Sequence, residues 1–379
     1  MNIKNKKLLV ATIITALTLT VAIVVMLWEN KEEEEEPVPE ITYEYFLLIS
    51  SLDNLPEITE PDGIVFDTSI TVIPPFLFRP GGEIDSAKLA YFISSFVCVT
   101  RKAPQDFIRG NITDVVGENI TSIGVGAFMN NRITSVVLPK VDSIYTAAFM
   151  NNRITSVVLP EITTISESAF MNNRITSIEL PKIEFIGIAA FTDNQITSID
   201  LPKVTTVGDL AFLKNNLIQI NLPLAESIGG AAFMMNRLTS INLPNATTVG
   251  VLAFTNNQLY RIELPNVTTI GTVAFMNNQL TVIDLPNVIT IDSAAFAGNR
   301  LIRLHLPAIT FIGDGAFRLN RDLARIHIYT NPDLLKIGRD IFYDHNGAPI
   351  TIYIKNAEWK EKMERKFSAY SNVVVKVIE

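Results

Sequence analysis

Hydrophobic positions recur along the chain with a period of 21 residues. In one unit, Val136 and Leu138 alternate with Ser135 and Val137, which is the pattern of a short strand with one buried face. Pro139 ends this strand, because proline has no backbone N–H to donate to a neighbouring strand. The second half of the unit carries apolar side chains three and four residues apart, a spacing that predicts a helical or 3₁₀ turn. Each unit therefore predicts one strand followed by one turn on the outer side.

Three sequence features keep this register through nine or ten units. A phenylalanine, an asparagine three residues after it and a Leu-Pro pair each recur every 21 residues. The phenylalanines are Phe128, Phe149, Phe170, Phe191, Phe212, Phe233, Phe254, Phe275, Phe296 and Phe317. Coils that stack on one another leave no room for insertions, so the constant spacing predicts a solenoid. The phenylalanines predict a stacked aromatic spine, and the asparagines predict side-chain amides that bond to buried backbone.

A glycine stands after the second apolar position in most units. Examples are Gly187, Gly208, Gly229 and Gly250. Glycine adopts conformations that other residues avoid, so this column predicts a sharp turn.

The pattern Asn-x-Leu/Ile-Thr-Ser-Ile-x-Leu-Pro, followed by Thr-x-Ile-Gly-x-x-Ala-Phe, resembles the BspA-like class of leucine-rich repeats found on cell-surface proteins. The resemblance covers residues 111–320. It implies an α/β repeat solenoid, a right-handed coil with a parallel β-sheet on its concave side, and adhesion or binding of a host protein. It brings no catalytic residues. Aliphatic residues such as Val141 and Ile162 replace the asparagine of the general leucine-rich consensus, so the resemblance specifies the strands better than the outer wall.

The start of the chain predicts a membrane anchor. Lys4, Lys6 and Lys7 precede an uncharged run over residues 8–28, and a helix of about 20 apolar residues spans the hydrocarbon core of a bilayer. A cleaved secretory signal is the alternative, but its apolar core is normally shorter, and no small-residue cleavage pattern precedes Glu29. The lysines are expected to keep residues 1–7 in the cytoplasm and to place the remainder outside.

Four further regions follow the predicted anchor. Residues 29–40 contain a run of glutamates and a Pro-Val-Pro sequence, and they predict an acidic linker. Residues 41–110 predict an N-terminal cap with a degenerate repeat, and residues 111–320 the regular array. Residues 321–379 predict a C-terminal capping module with two strands and a helix, because a solenoid must cover the end of its core.

Composition and motifs argue against several functions. The net charge of −8 repels a phosphate backbone, so nucleic acid is not an expected partner. The single cysteine, Cys98, excludes an internal disulfide framework, and His305, His327 and His345 lack metal-ligand spacing. No Gly-x-Ser-x-Gly or phosphate-binding motif is present. We therefore expect no enzyme activity, cofactor or metal. A binding or adhesion protein and a structural spacer, or self-associating envelope component, remain as alternatives.

The outward positions of the strands predict a partner-binding strip. Alternation directs residue 137 and its equivalents away from the core. The candidate residues in this column and in the column two positions earlier are Glu179, Asp200, Glu263, Asp284, Arg261, Arg303 and His305.

Neighbouring parallel strands lie about 4.8 Å apart, so Glu179 with Asp200, and Glu263 with Asp284, are expected to form two close carboxylate pairs. Such pairs are unfavourable without a basic partner. We expect the strip to dock an extended, partly basic protein of the envelope or of a host. Alternatives are a solvated ladder that only keeps the solenoid soluble, and a calcium site at a carboxylate pair.

Overall fold

The computed structural model describes residues 113–378 and the backbone of two earlier strands, Gly63–Phe66 and Val72–Ile73. The anchor predicted at residues 8–28, the linker at 29–40 and most of the predicted cap at 41–110 lie outside the described residues. Within the described part of the chain, no helix has the length and apolar character needed to cross a membrane.

Each coil up to the one that contains Lys336–Ile337 contributes one strand to each of two parallel ladders, a front ladder of longer strands and a back ladder of two-residue strands. Among the described residues, the last two front strands have no counterpart in the back ladder. The front strands are Gly63–Phe66, Asp114–Gly117, Ser135–Val137, Ser156–Val158, Ser177–Glu179, Ser198–Asp200, Gln219–Asn221, Ser240–Asn242, Arg261–Glu263, Val282–Asp284, Arg303–Leu306, Arg325–Ile328, Ile350–Ile354 and Val373–Val377. The back strands are Val72–Ile73, Ser122–Ile123, Ser143–Ile144, Thr164–Ile165, Phe185–Ile186, Thr206–Val207, Ser227–Ile228, Thr248–Val249, Thr269–Ile270, Thr290–Ile291, Phe311–Ile312 and Lys336–Ile337.

The two ladders differ in continuity. The back ladder is one 12-stranded parallel sheet in chain order. The front ladder is divided into hydrogen-bonded sheets of three, two, two, two and five strands. Strand Gly63–Phe66 pairs with Asp114–Gly117, and Val72–Ile73 pairs with Ser122–Ile123. These two early strands therefore belong to a coil that stacks on the first coil of the array.

The outer wall of the array contains no helix, so the α part of the predicted α/β class is wrong for these coils. A back strand and a turn occupy the segment, and each turn contains left-handed residues such as Ala147 (φ 55°) and Asn151 (φ 57°). The backbone N–H of Ala147 donates to the carbonyl of Glu167 on the next coil, at 2.9 Å. Alternate N–H groups of each turn bond to the next coil, as those of Ala147 and Phe149 do, while the N–H groups of Ala148 and Met150 donate to carbonyls three residues earlier. No continuous helix forms, which makes the array an all-β parallel solenoid.

The predicted aromatic spine is confirmed. The ten phenylalanines are fully buried, with at most 1% of the surface of each residue exposed. Successive rings stack nearly parallel, with centroids 5.2 to 6.0 Å apart. The spine therefore fills the space between the front and back ladders along the whole array.

The predicted role of the asparagines is also confirmed. Asn215 Nδ2 donates to the carbonyls of Phe191 and Phe212, at 2.8 and 3.2 Å. Its Oδ1 accepts the backbone N–H of Ile196 on the previous coil, at 3.0 Å. From Asn152 to Asn320, each asparagine of the column therefore joins two coils and satisfies backbone groups that water cannot reach.

The glycine column has a different role from the predicted sharp turn. Gly208 and Gly229 do not adopt positive φ angles. A Cβ atom on Gly229 would lie 2.6 Å from the backbone nitrogen of Asp209, whereas one on Gly230 would meet nothing nearer than 3.4 Å. Where glycine stands in this column, the backbones of adjacent coils approach so closely that a Cβ atom would force one of them to shift. Tyr145, Ser166 and Asp292 occupy the same position in other coils, so this close approach is not shared by every coil.

The C-terminal module closes the solenoid. Strands Ile350–Ile354 and Val373–Val377 pair in parallel and extend the last front sheet. Between them, a 3₁₀ turn at Ala357–Trp359 leads into the helix Lys360–Lys366. Met363 and Phe367 are buried and join the continuous core. They cover the end of the core that the last coil would otherwise expose.

Candidate functional site on the front face

The front face is formed by the outward side chains of the front strands. In strand Ser156–Val158 the central Val157 is buried, while Val158 is 50% exposed. The same alternation holds in the other three-residue strands, so the column that begins at Val137 points to solvent. The seven predicted partner-binding residues lie on this face, and each is exposed or half-buried.

Three of the four predicted carboxylates have a polar partner on the face itself. Asn221 Nδ2 donates to Asp200 Oδ1 at 2.8 Å. Glu263 forms an ion pair with Arg261 of its own strand. Asp284 Oδ1 lies 2.6 Å from Nδ1 of His305, the residue in register on the next strand.

The two expected carboxylate pairs are therefore not isolated like charges. Glu179 and Asp200 lie on neighbouring front strands that belong to different hydrogen-bonded sheets, and so do Glu263 and Asp284. Glu179 is the one carboxylate of the four that makes no hydrogen bond or ion pair with another described residue. Over residues 113–378, no group of three or more His, Cys, Asp or Glu side chains is arranged to hold a metal ion.

The front-face column changes its chemistry along the array. It begins with the exposed valines Val137 and Val158. It continues through Glu179, Asp200, Asn221, Asn242, Glu263 and Asp284 to His305. The phenylalanine, asparagine and leucine columns behind it stay constant and buried. The side chains that differ between coils are thus presented to solvent.

The structure extends this column beyond the predicted residues. His305 pairs in register with His327, His327 with Tyr353, and Tyr353 with Lys376. The 21-residue period has ended at this point, so the sequence register gave no alignment for these residues. The recurrence of Arg-x-His, at Arg303–Leu–His305 and again one coil later, is the sequence signal that could have identified the continuation.

Aromatic side chains pack together at this end of the front face. The ring of His327 stacks on Tyr353, with centroids 4.7 Å apart. Burial, followed by the positive charges of His305, Arg303 and Arg325, lowers the pKa of His327 below its usual value. The front face therefore ends in a cluster of rings and cations, whereas its centre carries carboxylates and amides.

Comparison with known proteins identifies the repeat. The model of the BspA type leucine rich repeat region matches residues 121–236 and 226–349, in six copies. No curated protein matches the chain.

Several solved structures are similar to this chain. The pneumococcal vaccine antigen PcpA is 18% identical, over 71% of this chain and 80% of its own, with a TM-score of 0.44. A leucine-rich repeat protein from Bacteroides ovatus is 19% identical, over 70% and 74%, with a TM-score of 0.48. A leucine rich cell surface protein from Faecalibacterium prausnitzii is 17% identical, over 75% and 97%, with a TM-score of 0.37.

Proposed function

This chain belongs to the BspA-type leucine-rich repeat family, and on that basis we propose that it is a cell-surface protein that binds another protein through its front face. One observation carries the proposal. The constant columns of the repeat are buried and satisfied within the solenoid, whereas the front-face column varies from coil to coil and is open to solvent. A spacer needs only the constant columns, so the varied surface supports a binding role.

The chemistry of the front face indicates the kind of partner. Glu179, Asp200, Glu263 and Asp284 place four carboxylates over six successive coils. Complementary charge speeds encounter and selects partners more than it adds affinity. We therefore propose that the partner is an extended protein segment with several basic residues, which lies across the coils. The proposed function includes no catalytic step.

Removing the four carboxylates is expected to weaken binding of such a partner. Replacing Glu179, Asp200, Glu263 and Asp284 together by Ser should lower affinity about tenfold, because exposed ion pairs contribute about 0.2–1 kcal/mol each and 1.4 kcal/mol is a factor of ten. The measurement is the dissociation constant for a basic partner isolated from envelope or host extracts, with thermal melting as a check on folding.

The matched control removes the same number of negative charges from another part of the surface. Asp142, Glu167, Glu184 and Glu226 are exposed carboxylates in or beside the back-ladder turns, and their joint replacement by Ser should leave affinity within twofold. Equal losses in both variants would contradict front-face binding and would indicate a response to net charge alone.

We also propose that residues 8–28 anchor the protein, with the solenoid outside the cell. The lysines before this apolar run support this orientation. Protease added to intact cells that express the full chain is expected to digest the array. If the array is degraded only after lysis, the proposed orientation is wrong.

A further inference from the structure

The C-terminal end of the front face carries a cationic and aromatic cluster on an otherwise acidic protein. We call this cluster the C-terminal patch; its members are Arg303, Arg325, His327, Tyr329, Tyr353 and Lys355. All six side chains stand exposed or half-buried on or beside the last front sheet.

The two arginines of the patch lack an acidic partner among the described residues, whereas Arg261, at the equivalent position of an earlier strand, has one. The side chains at the two ends of strand Arg261–Glu263 point outward and form an ion pair with each other. At the same two positions, strands Arg303–Leu306 and Arg325–Ile328 carry an arginine and a histidine. Neither Arg303 nor Arg325 forms an ion pair with another described residue. Two register-paired arginines are thus left with uncompensated positive charge.

The surrounding rings hold further polar groups in place. The Tyr329 hydroxyl lies 3.1 Å from His327 Nδ1, and the Tyr329 ring packs edge-on against His305 at 5.5 Å. The ammonium group of Lys355 lies 4.3 Å from the centre of the Tyr329 ring, which is cation–π geometry. These contacts restrain the side chains before any ligand arrives, which lowers the entropic cost of binding.

The charged residues in and around the C-terminal patch limit the chemical class of ligand that it can bind. Arginine forks match the two oxygens of a carboxylate, so the two free arginines favour an anionic group. Asp284 lies on the adjoining front strand and Glu263 on the strand before that one, and both would repel a segment that carries many acids. The same carboxylates accept hydrogen bonds from hydroxyl groups. A ligand with isolated carboxylates among many hydroxyls satisfies both conditions.

The open face also argues against a small molecule, because such ligands prefer enclosed pockets. We propose that the C-terminal patch binds a glycan with carboxylated sugars, in which Arg303 and Arg325 hold a sugar carboxylate, Tyr329 and Tyr353 bond to sugar oxygens, and Asp284 accepts from hydroxyls. This site goes beyond the proposed protein docking and does not require a protein partner.

Binding of a carboxylated oligosaccharide to the full chain tests the proposal. Calorimetry with oligogalacturonate is expected to show binding, and the methyl ester of the same oligomer, which lacks the charge, should bind at least tenfold more weakly. Arg303→Ser with Arg325→Ser should also weaken oligogalacturonate binding at least tenfold. Tyr329→Phe with Tyr353→Phe keeps the rings and removes the hydroxyls, and it should weaken binding about threefold to tenfold.

A second pair of arginines provides the control. Arg132 and Arg153 are exposed at equivalent positions of consecutive coils, away from the patch, and their replacement by Ser removes the same charge. This control should change affinity less than twofold. A loss equal to that of Arg303→Ser with Arg325→Ser would overturn the proposal, because binding would then follow net charge.

Other ligands distinguish the remaining possibilities. Equal or tighter binding of a poly-glutamate peptide, or of vesicles that contain phosphatidylserine, would overturn the glycan proposal in favour of an acidic peptide or a lipid surface. Absence of oligogalacturonate binding at millimolar concentration would overturn it as well. None of these results bears on docking at the central carboxylates, which the separate carboxylate variants test.

Discussion

Phe212→Ala is expected to lower the free energy of unfolding by about 3–5 kcal/mol. Phe212 lies in the middle of the spine, with no exposed surface, and its ring stacks between those of Phe191 and Phe233 at 5.4 and 5.5 Å. Removal of the ring leaves a cavity that cannot collapse, because both neighbouring rings are fixed by their own coils. Urea denaturation, followed by circular dichroism, measures the change.

A phenylalanine outside the spine is the control for this prediction. Phe185 stands on a back strand, and 42% of the residue's surface is exposed. Phe185→Ala should cost less than about 1 kcal/mol, since little apolar surface returns to water. If the two substitutions have similar effects, the spine does not stabilise the solenoid in the way that its burial indicates.

Asn215→Ala is expected to cost about 1–3 kcal/mol. The substitution removes the acceptor of the buried Ile196 N–H, and an unsatisfied buried donor costs about 1–3 kcal/mol. The carbonyls of Phe191 and Phe212 each keep a second amide donor, from Asn194 and Asn236, so they contribute less. The midpoint and slope of the same denaturation curve measure this loss.

An exposed asparagine provides the comparison. Asn245 Nδ2 donates to the carbonyl of Pro223 at 2.8 Å, on the surface, where water can replace it. Asn245→Ala should therefore stay within about 0.5 kcal/mol of the wild type. A cost for Asn215→Ala as small as that of Asn245→Ala would show that the asparagine column is dispensable.

The sequence predicts the parts of this fold that repeat. The 21-residue period identifies the coil, and alternation in strands such as Ser135–Val137 assigns the buried and exposed faces correctly. The phenylalanine and asparagine columns have the predicted roles, because a residue repeated in every coil meets its own equivalent above and below.

The outer wall could not be predicted from apolar spacing alone. The spacing of Ile144, Ala148 and Phe149 fits a helix, but it fits a two-residue strand and a turn equally well. The left-handed conformation of Ala147 decides between them, and alanine gives no sign of it in the sequence. The role of the glycines is hidden for a related reason. It depends on how closely the backbones of two stacked coils approach, and the sequence of one coil does not show that distance.

The candidate site was predictable only where the period lasts. Residues from Glu179 to His305 were placed on one face by counting, and the structure shows them there. The partners of Asp200, Glu263 and Asp284 depend on side-chain conformation, which the repeat register does not specify. The register alone therefore predicts two pairs of neighbouring carboxylates without polar partners. Tyr353 and Lys355 follow irregular coils, and only the strand pairing brings them to the same end of the face.

The equal offset between paired strands also determines how the array can assemble. Within the regular array, paired strand residues of adjacent coils are 21 apart in the chain, and so are the side chains that bond between Asn172 and Asn151. The loop closed by each new coil has the same length, so the entropy lost is the same at every step and does not grow with the array. Folding can begin at any coil and spread in both directions. Gain or loss of one whole unit preserves every remaining contact, so the front face can lengthen or shorten in steps of about 4.8 Å.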